Sequence, residues 1–143
     1  MINKSINTFG YLGEYIVSCQ EENGAIAWEP SSKIDPWDHI ESAMGLDVLG
    51  FEDNSKKAYK WLVDSQESDG SWFSEYKKEK VTKFRKETNF SAYIATGAWH
   101  HYINFENKKA VSVDYLKGNN QFTVKANKEI ILSAGSIGSP QIL

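Results

Sequence analysis

An acidic cluster around a histidine is the first place in the sequence where chemistry could take place. Asp35, Asp38 and Glu41 flank His39, and carboxylates grouped in this way can protonate a substrate or hold a metal ion. The same stretch also has the composition of a helix start. Asp35 can accept hydrogen bonds from free backbone N–H groups, and Pro36 has no N–H to lose at the first helical position. We therefore predict a capped helix and no metal site.

The other reactive side chains are predicted to be structural. His100 and His101 have no carboxylate partner at a ligand spacing, so we expect a surface pair at a helix end. Cys19, the single cysteine, lies on an apolar helical stripe, which favours a small core residue and excludes an internal disulfide. The run 75–87 holds six basic and three acidic residues. It could bind phosphate, but the acidic balance around it favours a solvated loop or helix face.

The charge distribution argues against nucleic acid or a membrane surface as a partner. The net charge is −3, with −5 in residues 1–102 and +2 in residues 103–143, whereas such partners call for a stronger charge of one sign. No apolar window approaches the length of a membrane span, and the N-terminus does not have the composition of a signal peptide. We therefore expect a cytoplasmic protein.

Apolar residues at steps of three and four predict four helices in residues 1–102. We expect them at 8–20, from Pro36 to a stop at Gly50, from a cap at Asn54 to about residue 65, and at 88–102. Phe9, Leu12, Tyr15, Ile16 and Cys19 form the apolar stripe of the first helix.

A sequence repeat connects these helices. Gln20 and Gly24 recur as Gln66 and Gly70, 46 residues later, and a Trp follows each pair. A self-match at this period is typical of repeat architectures. The Gln can satisfy orphan groups at a helix end, the Gly permits a tight turn, and the Trp can pack over it. We therefore expect paired helices joined by such turns.

The periodicity changes from helix to strand near Tyr102. Alternating apolar and polar residues predict two or three antiparallel strands, around 103–105, 111–115 and 122–126. Ile130–Leu132 is a continuous apolar run, which suits a strand buried on both faces of a sheet. Gly135 and Gly138 then allow a close turn.

The repeat resembles the Gln-Trp repeat of the squalene–hopene cyclases. The matching residues are Lys57, Ala58, Leu62, Gln66, Gly70 and Trp72 and, with extra residues before the Trp, Ile16, Gln20, Gly24 and Trp28. The resemblance implies an α/α-toroid of the terpenoid cyclase and prenyltransferase families, incomplete because two repeats do not close a ring. Those cyclases protonate their substrate with an Asp-rich motif, for which Asp35 and Asp38 are the nearest candidates here.

Residues 103–143 resemble a slice of the FAD-binding domain of the glucose–methanol–choline (GMC) oxidoreductases, and residues 128–143 carry the resemblance. Gly135, Ser136, Ser139, Pro140, Ile142 and Leu143 each hold a residue type that the family's second signature expects. The resemblance implies oxidation of the CH–OH group of an alcohol by FAD, with Gly135, Ser136, Ser139 and Pro140 beside the flavin. The GxGxxG turn and the catalytic His of the family do not occur in the chain, so we do not expect the chain alone to hold FAD.

The sequence therefore predicts an α+β composite of two parts. Residues 1–102 form an incomplete α/α-toroid, and residues 103–143 form a GMC oxidoreductase fragment with a small β-meander and one buried strand of an α/β fold. We expect a truncated or fused reading frame and an inactive fragment of an alcohol oxidoreductase, without catalytic residues, a metal, a nucleic-acid partner or a membrane partner. The alternatives are a terpenoid cyclase-like helical domain and a non-catalytic helical binding module.

Overall fold

The computed structural model describes residues 3–107, 109–117 and 120–130. In chain order the elements are α1 Asn3–Ser18, α2 Pro36–Leu49, α3 Glu52–Asp64, β1 Phe73–Lys77, β2 Lys80–Lys86, α4 Thr88–Tyr102, β3 Ile103–Glu106, β4 Lys109–Lys117 and β5 Asn120–Lys125. The chain divides into two compact units, Met1–Ile94 and Ala95–Leu143. The boundary after residue 102, taken from the change in periodicity, stays a prediction.

Helix α2 begins and ends at the residues that the sequence indicates. Asp35 Oδ1 accepts a hydrogen bond from the Trp37 backbone N–H at 2.8 Å, and Pro36 occupies the first helical position. Gly50 ends the helix in the left-handed conformation at φ 81°, and its N–H donates to the Asp47 carbonyl at 3.1 Å. The predicted cap and stop are confirmed, because both depend only on neighbouring residues.

The predicted cap of the third helix is wrong. Helix α3 begins at Glu52, after Phe51, and Asn54 lies inside its first turn. The Asn54 amide instead donates to Gln20 Oε1 at 2.7 Å, so a long-range contact takes up the side chain that could have capped the helix. The Phe51 ring packs where a side chain on Gly13 of α1 would otherwise lie.

The predicted solvated loop or helix face at 75–87 is also wrong in its secondary structure. Strands β1 and β2 form an antiparallel hairpin, and its turn residues Lys78 and Glu79 both have positive φ. Tyr76 of β1 is buried, whereas β2 is exposed over almost its whole length. The charged residues on the exposed strand obscure the two-residue alternation by which a hairpin is recognised.

The two Gln-Gly turns have the same hydrogen bonds. The Gln20 amide donates to the Gly24 carbonyl at 3.0 Å, and the Gln66 amide donates to the Gly70 carbonyl at 3.1 Å. Both glycines have positive φ, 97° and 82° respectively. The predicted role of Gly is thus confirmed in both copies, whereas the Gln amide bonds to the carbonyl of the turn glycine and not to an orphan group at the end of the preceding helix.

The two Trp residues that follow these turns differ. Trp72 is buried, and its Nε1–H donates to the Leu62 carbonyl at 2.8 Å. Trp28 is exposed on one face, with Lys33 Nζ 3.4 Å from the ring centroid. The prediction that the Trp packs over its own turn therefore does not hold for Trp28, because the extra residues before it place the ring outside the turn.

The second unit contains the predicted meander. Strands β3, β4 and β5 are antiparallel neighbours in that order. One face carries the aligned apolar residues Ile103, Val113 and Val124 and the pair Tyr115 and Phe122; the other carries Asn104, Ser112, Asp114, Thr123 and Lys125. Most of the predicted strand at 130–132 lies outside the described residues.

The apolar stripe of α1 is only partly covered. Cys19 is buried, as predicted, but Phe9, Leu12 and Tyr15 are exposed. An apolar stripe in a sequence shows that a helix has a face to bury, not that a partner for it is present. Within the described ranges, no helix combines the length and the apolarity needed to cross a membrane.

Candidate functional site

His39, at the centre of the acidic cluster, is a structural residue. Its side chain is fully buried, Nδ1 accepts a hydrogen bond from the Ile26 backbone N–H at 2.9 Å, and Nε2 lies 3.0 Å from the Ala58 carbonyl. Because Nδ1 is the acceptor of one hydrogen bond and Nε2 faces a carbonyl oxygen, the ring must be the neutral tautomer that carries its proton on Nε2. Burial accordingly lowers the pKa of His39 to about 4. The imidazole thus connects the first Gln-Gly turn to α3.

The carboxylates of the cluster have separate surroundings. Asp35 caps α2, Glu41 Oε1 accepts from Trp37 Nε1 at 2.8 Å, and Asp38 is exposed. Burial raises the pKa of Asp35, although its bond from the Trp37 N–H acts in the opposite direction. In the part of the chain that the structure describes, no three His, Cys, Asp or Glu side chains are grouped so that they could hold a metal ion.

A cleft beside this cluster was missed by the sequence analysis. It has a volume of about 380 Å³ and is lined by Tyr15, Ile16, Cys19, Ile26, Ala27, Trp28, Asp38 and Ser42. Tyr15 and Trp28 present exposed aromatic surface, Ile16, Ile26 and Ala27 supply an apolar wall, and Asp38 and Ser42 supply oxygen atoms. Aromatic surface next to a few polar groups is typical of a small-molecule site. Trp28 and Asp38 lie ten residues apart in the sequence and on no common helical face, so the sequence pattern does not group them.

Three of the six cations in the charged hairpin are paired with carboxylates. Glu75 pairs with Lys83 at 2.7 Å, Asp69 pairs with Lys86 at 2.8 Å, and Arg85 pairs with Glu87. The Lys86 ammonium, together with Ser71, lowers the pKa of Asp69 to about 2. These cations are therefore each matched by a carboxylate on the surface, as the solvated alternative predicts.

The polar face of the second unit has one well-connected carboxylate. Asp114 accepts from Thr123 Oγ1 at 2.5 Å and from Gln121 Nε2 at 3.3 Å. The Thr123 hydrogen bond is the main reason why the pKa of Asp114 lies below its usual value. Asp114 and Thr123 line a cleft of about 600 Å³ on this face. The polar side chains of Asp114, Gln121 and Thr123 form hydrogen bonds with one another across the neighbouring strands β4 and β5.

The residues predicted to lie beside the flavin fall outside the described residues. These are Gly135, Ser136, Ser139 and Pro140, and their assignment therefore rests on sequence resemblance. Of the histidine pair, the structure describes the side chain of His101, whose ring packs edge-on against Tyr102 at a centroid distance of 4.6 Å.

Comparison with known proteins identifies the family. The family model described as GMC oxidoreductase matches residues 40–143. The chain therefore belongs to the GMC oxidoreductase family. The match begins within α2, so it excludes α1 and includes α3, the hairpin of β1 and β2, α4 and the meander.

The relatives include choline dehydrogenases and a mannosidase. The oxygen-dependent choline dehydrogenase of Pectobacterium carotovorum is 52% identical over 50 residues, covering 35% of this chain and 9% of the relative. That of Proteus mirabilis is 56% identical over 52 residues, with the same coverage of both chains. An MMP endo-(1,4)-3-O-methyl-α-D-mannosidase from Mycolicibacterium hassiacum is 40% identical over 88 residues, covering 62% of this chain and 24% of the relative.

The chain thus spans about a quarter of the mannosidase and under a tenth of the choline dehydrogenases. An alignment of 88 residues cannot fit within Ala95–Leu143, so part of the mannosidase similarity lies in the first unit. The resemblance to terpenoid cyclases stays a prediction.

The buried His39 predicts a specific dependence of stability on pH. In the folded chain the pKa of His39 is about 4, whereas in the unfolded chain it has the ordinary value of 6.5. The unfolded state therefore holds more protons in this window, and lowering the pH across it should reduce the free energy of unfolding by up to about 3 kcal/mol. Urea unfolding at a series of pH values measures this slope.

The control variant is His39→Gln, whose amide can make both hydrogen bonds but does not titrate. The raised pKa values of Asp35 and Glu21 change the free energy of unfolding in the opposite direction as the pH falls. This contribution is the same in the unaltered chain and in the His39→Gln variant. The difference between the two slopes therefore isolates His39. Equal slopes would contradict the assignment of a buried, neutral imidazole.

Proposed function

We propose that the chain contributes part of the FAD-binding domain of an oxidoreductase that acts on the CH–OH group of a small alcohol. The observation that carries this proposal is the family match over residues 40–143, and relatives named choline dehydrogenases support it with about half of the aligned residues identical. Gly135, Ser136, Ser139 and Pro140 are the residues that would lie beside the cofactor. FAD, when bound, supplies the hydride acceptor for alcohol oxidation.

The small residues in this set explain how the chain would serve the cofactor. Gly135 has no side chain, and Ser136 has a short one, so the backbone could approach a planar ring closely. Ser139 followed by Pro140 suits a helix start, at which backbone N–H groups are free to bind. The chain contains no GxGxxG turn for the pyrophosphate. Alone it should therefore be colourless.

A chimera tests the proposal. In the Pectobacterium choline dehydrogenase, the stretch that aligns with residues 103–143 is replaced by those residues. We expect the chimera to keep the visible absorption bands of bound flavin and to oxidise choline, because the inserted segment supplies the same cofactor-proximal turn. Absorption spectra and choline-dependent oxygen uptake give the two readouts.

The matched variants of the chimera are Gly135→Val and Lys128→Ala. Valine fills the space that the proposal assigns to the flavin, so this variant should lose flavin absorption. Lys128 is exposed and precedes the turn, so its variant should remain yellow. A colourless, folded chimera, or a Gly135→Val variant that is as yellow as its parent, would contradict the proposal.

We infer a second function, carbohydrate recognition, for the first unit. The similarity to a mannosidase reaches into this unit, and the cleft there combines the exposed rings of Tyr15 and Trp28 with the Asp38 carboxylate. The apolar face of a pyranose packs on aromatic rings, while a carboxylate accepts hydrogen bonds from sugar hydroxyls. The wall formed by Ile16, Ile26 and Ala27 suits the apolar O-methyl group in the relative's name.

The cleft supports carbohydrate better than a polyprenyl substrate. Cyclase chemistry needs an acidic group placed to protonate an alkene inside an enclosed apolar cavity. Of the two predicted candidates, Asp35 is engaged as a helix cap and only Asp38 lines the cleft. An open cleft with one exposed carboxylate is better suited to binding hydroxyl groups. The alternative of a non-catalytic binding module, with Trp28 as its contact residue, fits the same geometry.

Binding of a (1,4)-linked 3-O-methylmannose oligosaccharide tests this second function. We expect the change Trp28→Ala to weaken binding at least about tenfold, which corresponds to roughly 1.4 kcal/mol, because the sugar loses its stacking surface. Isothermal titration calorimetry measures the affinity. The control is Phe84→Ala, which removes an even more exposed ring on β2, outside the cleft. Equal affinities of the two variants, or no binding by the unaltered chain, would contradict carbohydrate recognition.

A further inference from the structure

A tight loop places Lys33 against Trp28. The Trp28 backbone N–H donates to the Lys33 carbonyl at 3.0 Å. Between these two residues, the Ser32 N–H donates to the Glu29 carbonyl at 3.0 Å, and Ser31 turns the chain in the left-handed conformation at φ 64°. All of these contacts are made by the backbone, so they hold Trp28 and Lys33 opposite each other without using either side chain.

The Lys33 side chain adds a second contact between the same two residues. Its Nζ lies 3.4 Å from the centroid of the Trp28 ring, a distance at which the negative face of an indole attracts an ammonium group. Trp28 lies outside the buried core of the unit, so close packing does not fix its ring. The ammonium occupies one face of a ring that also lines the cleft. The opposite face is therefore the one that a ligand in the cleft would meet.

Strand β1 in turn holds the Lys33 ammonium. Ile34, the next residue, exchanges two backbone hydrogen bonds with Tyr76, at 2.8 and 2.9 Å. Glu75 Oε2 lies 3.9 Å from Lys33 Nζ. The Lys83 ammonium, with a smaller contribution from Lys33, lowers the pKa of Glu75, so this carboxylate stays ionised. Lys33 thus lies between a fixed carboxylate and the Trp28 ring.

We propose that Lys33 is a positioning residue of the cleft, where it holds the Trp28 ring in the orientation that stacks on a sugar. This inference rests on the carbohydrate recognition proposed above. A side chain that is already ordered loses less conformational entropy when a ligand binds, so the contact between Lys33 and Trp28 raises the affinity. Lys33 itself does not line the cleft. It therefore acts through Trp28 and not on the ligand.

The order of the Trp28 indole tests this positioning without any ligand. Nitrogen-15 relaxation of the indole N–H, assigned by the loss of its signal in Trp28→Phe, measures the motion of the ring. In the intact chain we expect an order parameter near that of rigid backbone, about 0.85. Lys33→Gln removes the charge, and the order parameter should fall below about 0.6. Lys33→Arg should restore the order, because a guanidinium group also stacks on an indole.

Lys83→Gln is the matched control. Lys83 pairs with the same Glu75 carboxylate, at 2.7 Å, but it is the Lys33 ammonium that stacks on Trp28. This control removes the same charge from the same pairing group, so the Trp28 indole should stay as ordered as in the intact chain. It separates the contact with the ring from a general effect of net charge.

Affinity for the (1,4)-linked 3-O-methylmannose oligosaccharide, measured by calorimetry, shows what the ordered ring contributes to binding. Lys33→Gln should bind about three- to tenfold more weakly, since binding must then immobilise a mobile ring. Lys33→Arg and Lys83→Gln should bind like the intact chain.

The two readouts fail in different ways. The proposal is overturned if the indole stays ordered in Lys33→Gln, if Lys83→Gln loosens it equally, if Lys33→Arg does not restore its order, or if a loosened ring leaves the affinity unchanged. An intact chain that does not bind the sugar contradicts carbohydrate recognition instead, and the order of the indole then still decides whether Lys33 positions the ring.

Discussion

The fold of the first unit depends on a buried neutral imidazole that joins two parts of the backbone. His39 accepts from the Ile26 N–H and donates to the Ala58 carbonyl, so one side chain of α2 fixes both the first Gln-Gly turn and α3. Either backbone group, left unpaired in this dry interior, would cost roughly 1–3 kcal/mol. The bonds between Gln20 and Asn54 hold the same turn to the same helix. Together they explain why α3 cannot shift without disrupting the turn.

This arrangement also positions the cleft. Ile26, whose N–H is held by His39, is followed by Ala27 and Trp28, and all three line the cleft. Asp38 precedes His39 and points to the other side of α2, into the cleft. His39 and Asp38 are neighbours in an apparent acid–base cluster, but their side chains have different roles. The histidine holds the backbone, and the aspartate is available to a ligand.

Local signals made part of this structure predictable from the sequence. Asp35, Pro36 and Gly50 act on their immediate neighbours, so the ends of α2 could be read directly. The cap at Asn54 could not, because its side chain bonds to a residue 34 positions away. The exposure of Leu12 was equally hidden, since an apolar stripe does not reveal whether its partner is present. The cleft was missed because it unites a helix, a turn and the face of a second helix.

Family similarity and secondary structure change at different places along the chain. The periodicity changes near Tyr102, while the GMC oxidoreductase match begins at Ile40. A change of periodicity marks where helices give way to strands, and this need not be where similarity to a family starts. Gly135 and Ser136 were predicted to lie beside a flavin from their residue types alone, and the structural observations on a site therefore come from the first unit.

The central claim is that His39 is a buried, neutral connector, and nitrogen NMR of its imidazole tests it most directly. At a pH of about 5, which lies between the lowered pKa of His39 and the usual value for histidine, the folded chain should show one protonated nitrogen, Nε2. The Ile26 amide, which donates to the unprotonated Nδ1, should exchange slowly with solvent. A doubly protonated His39 ring in the folded chain at that pH, or a proton on Nδ1, would contradict this account.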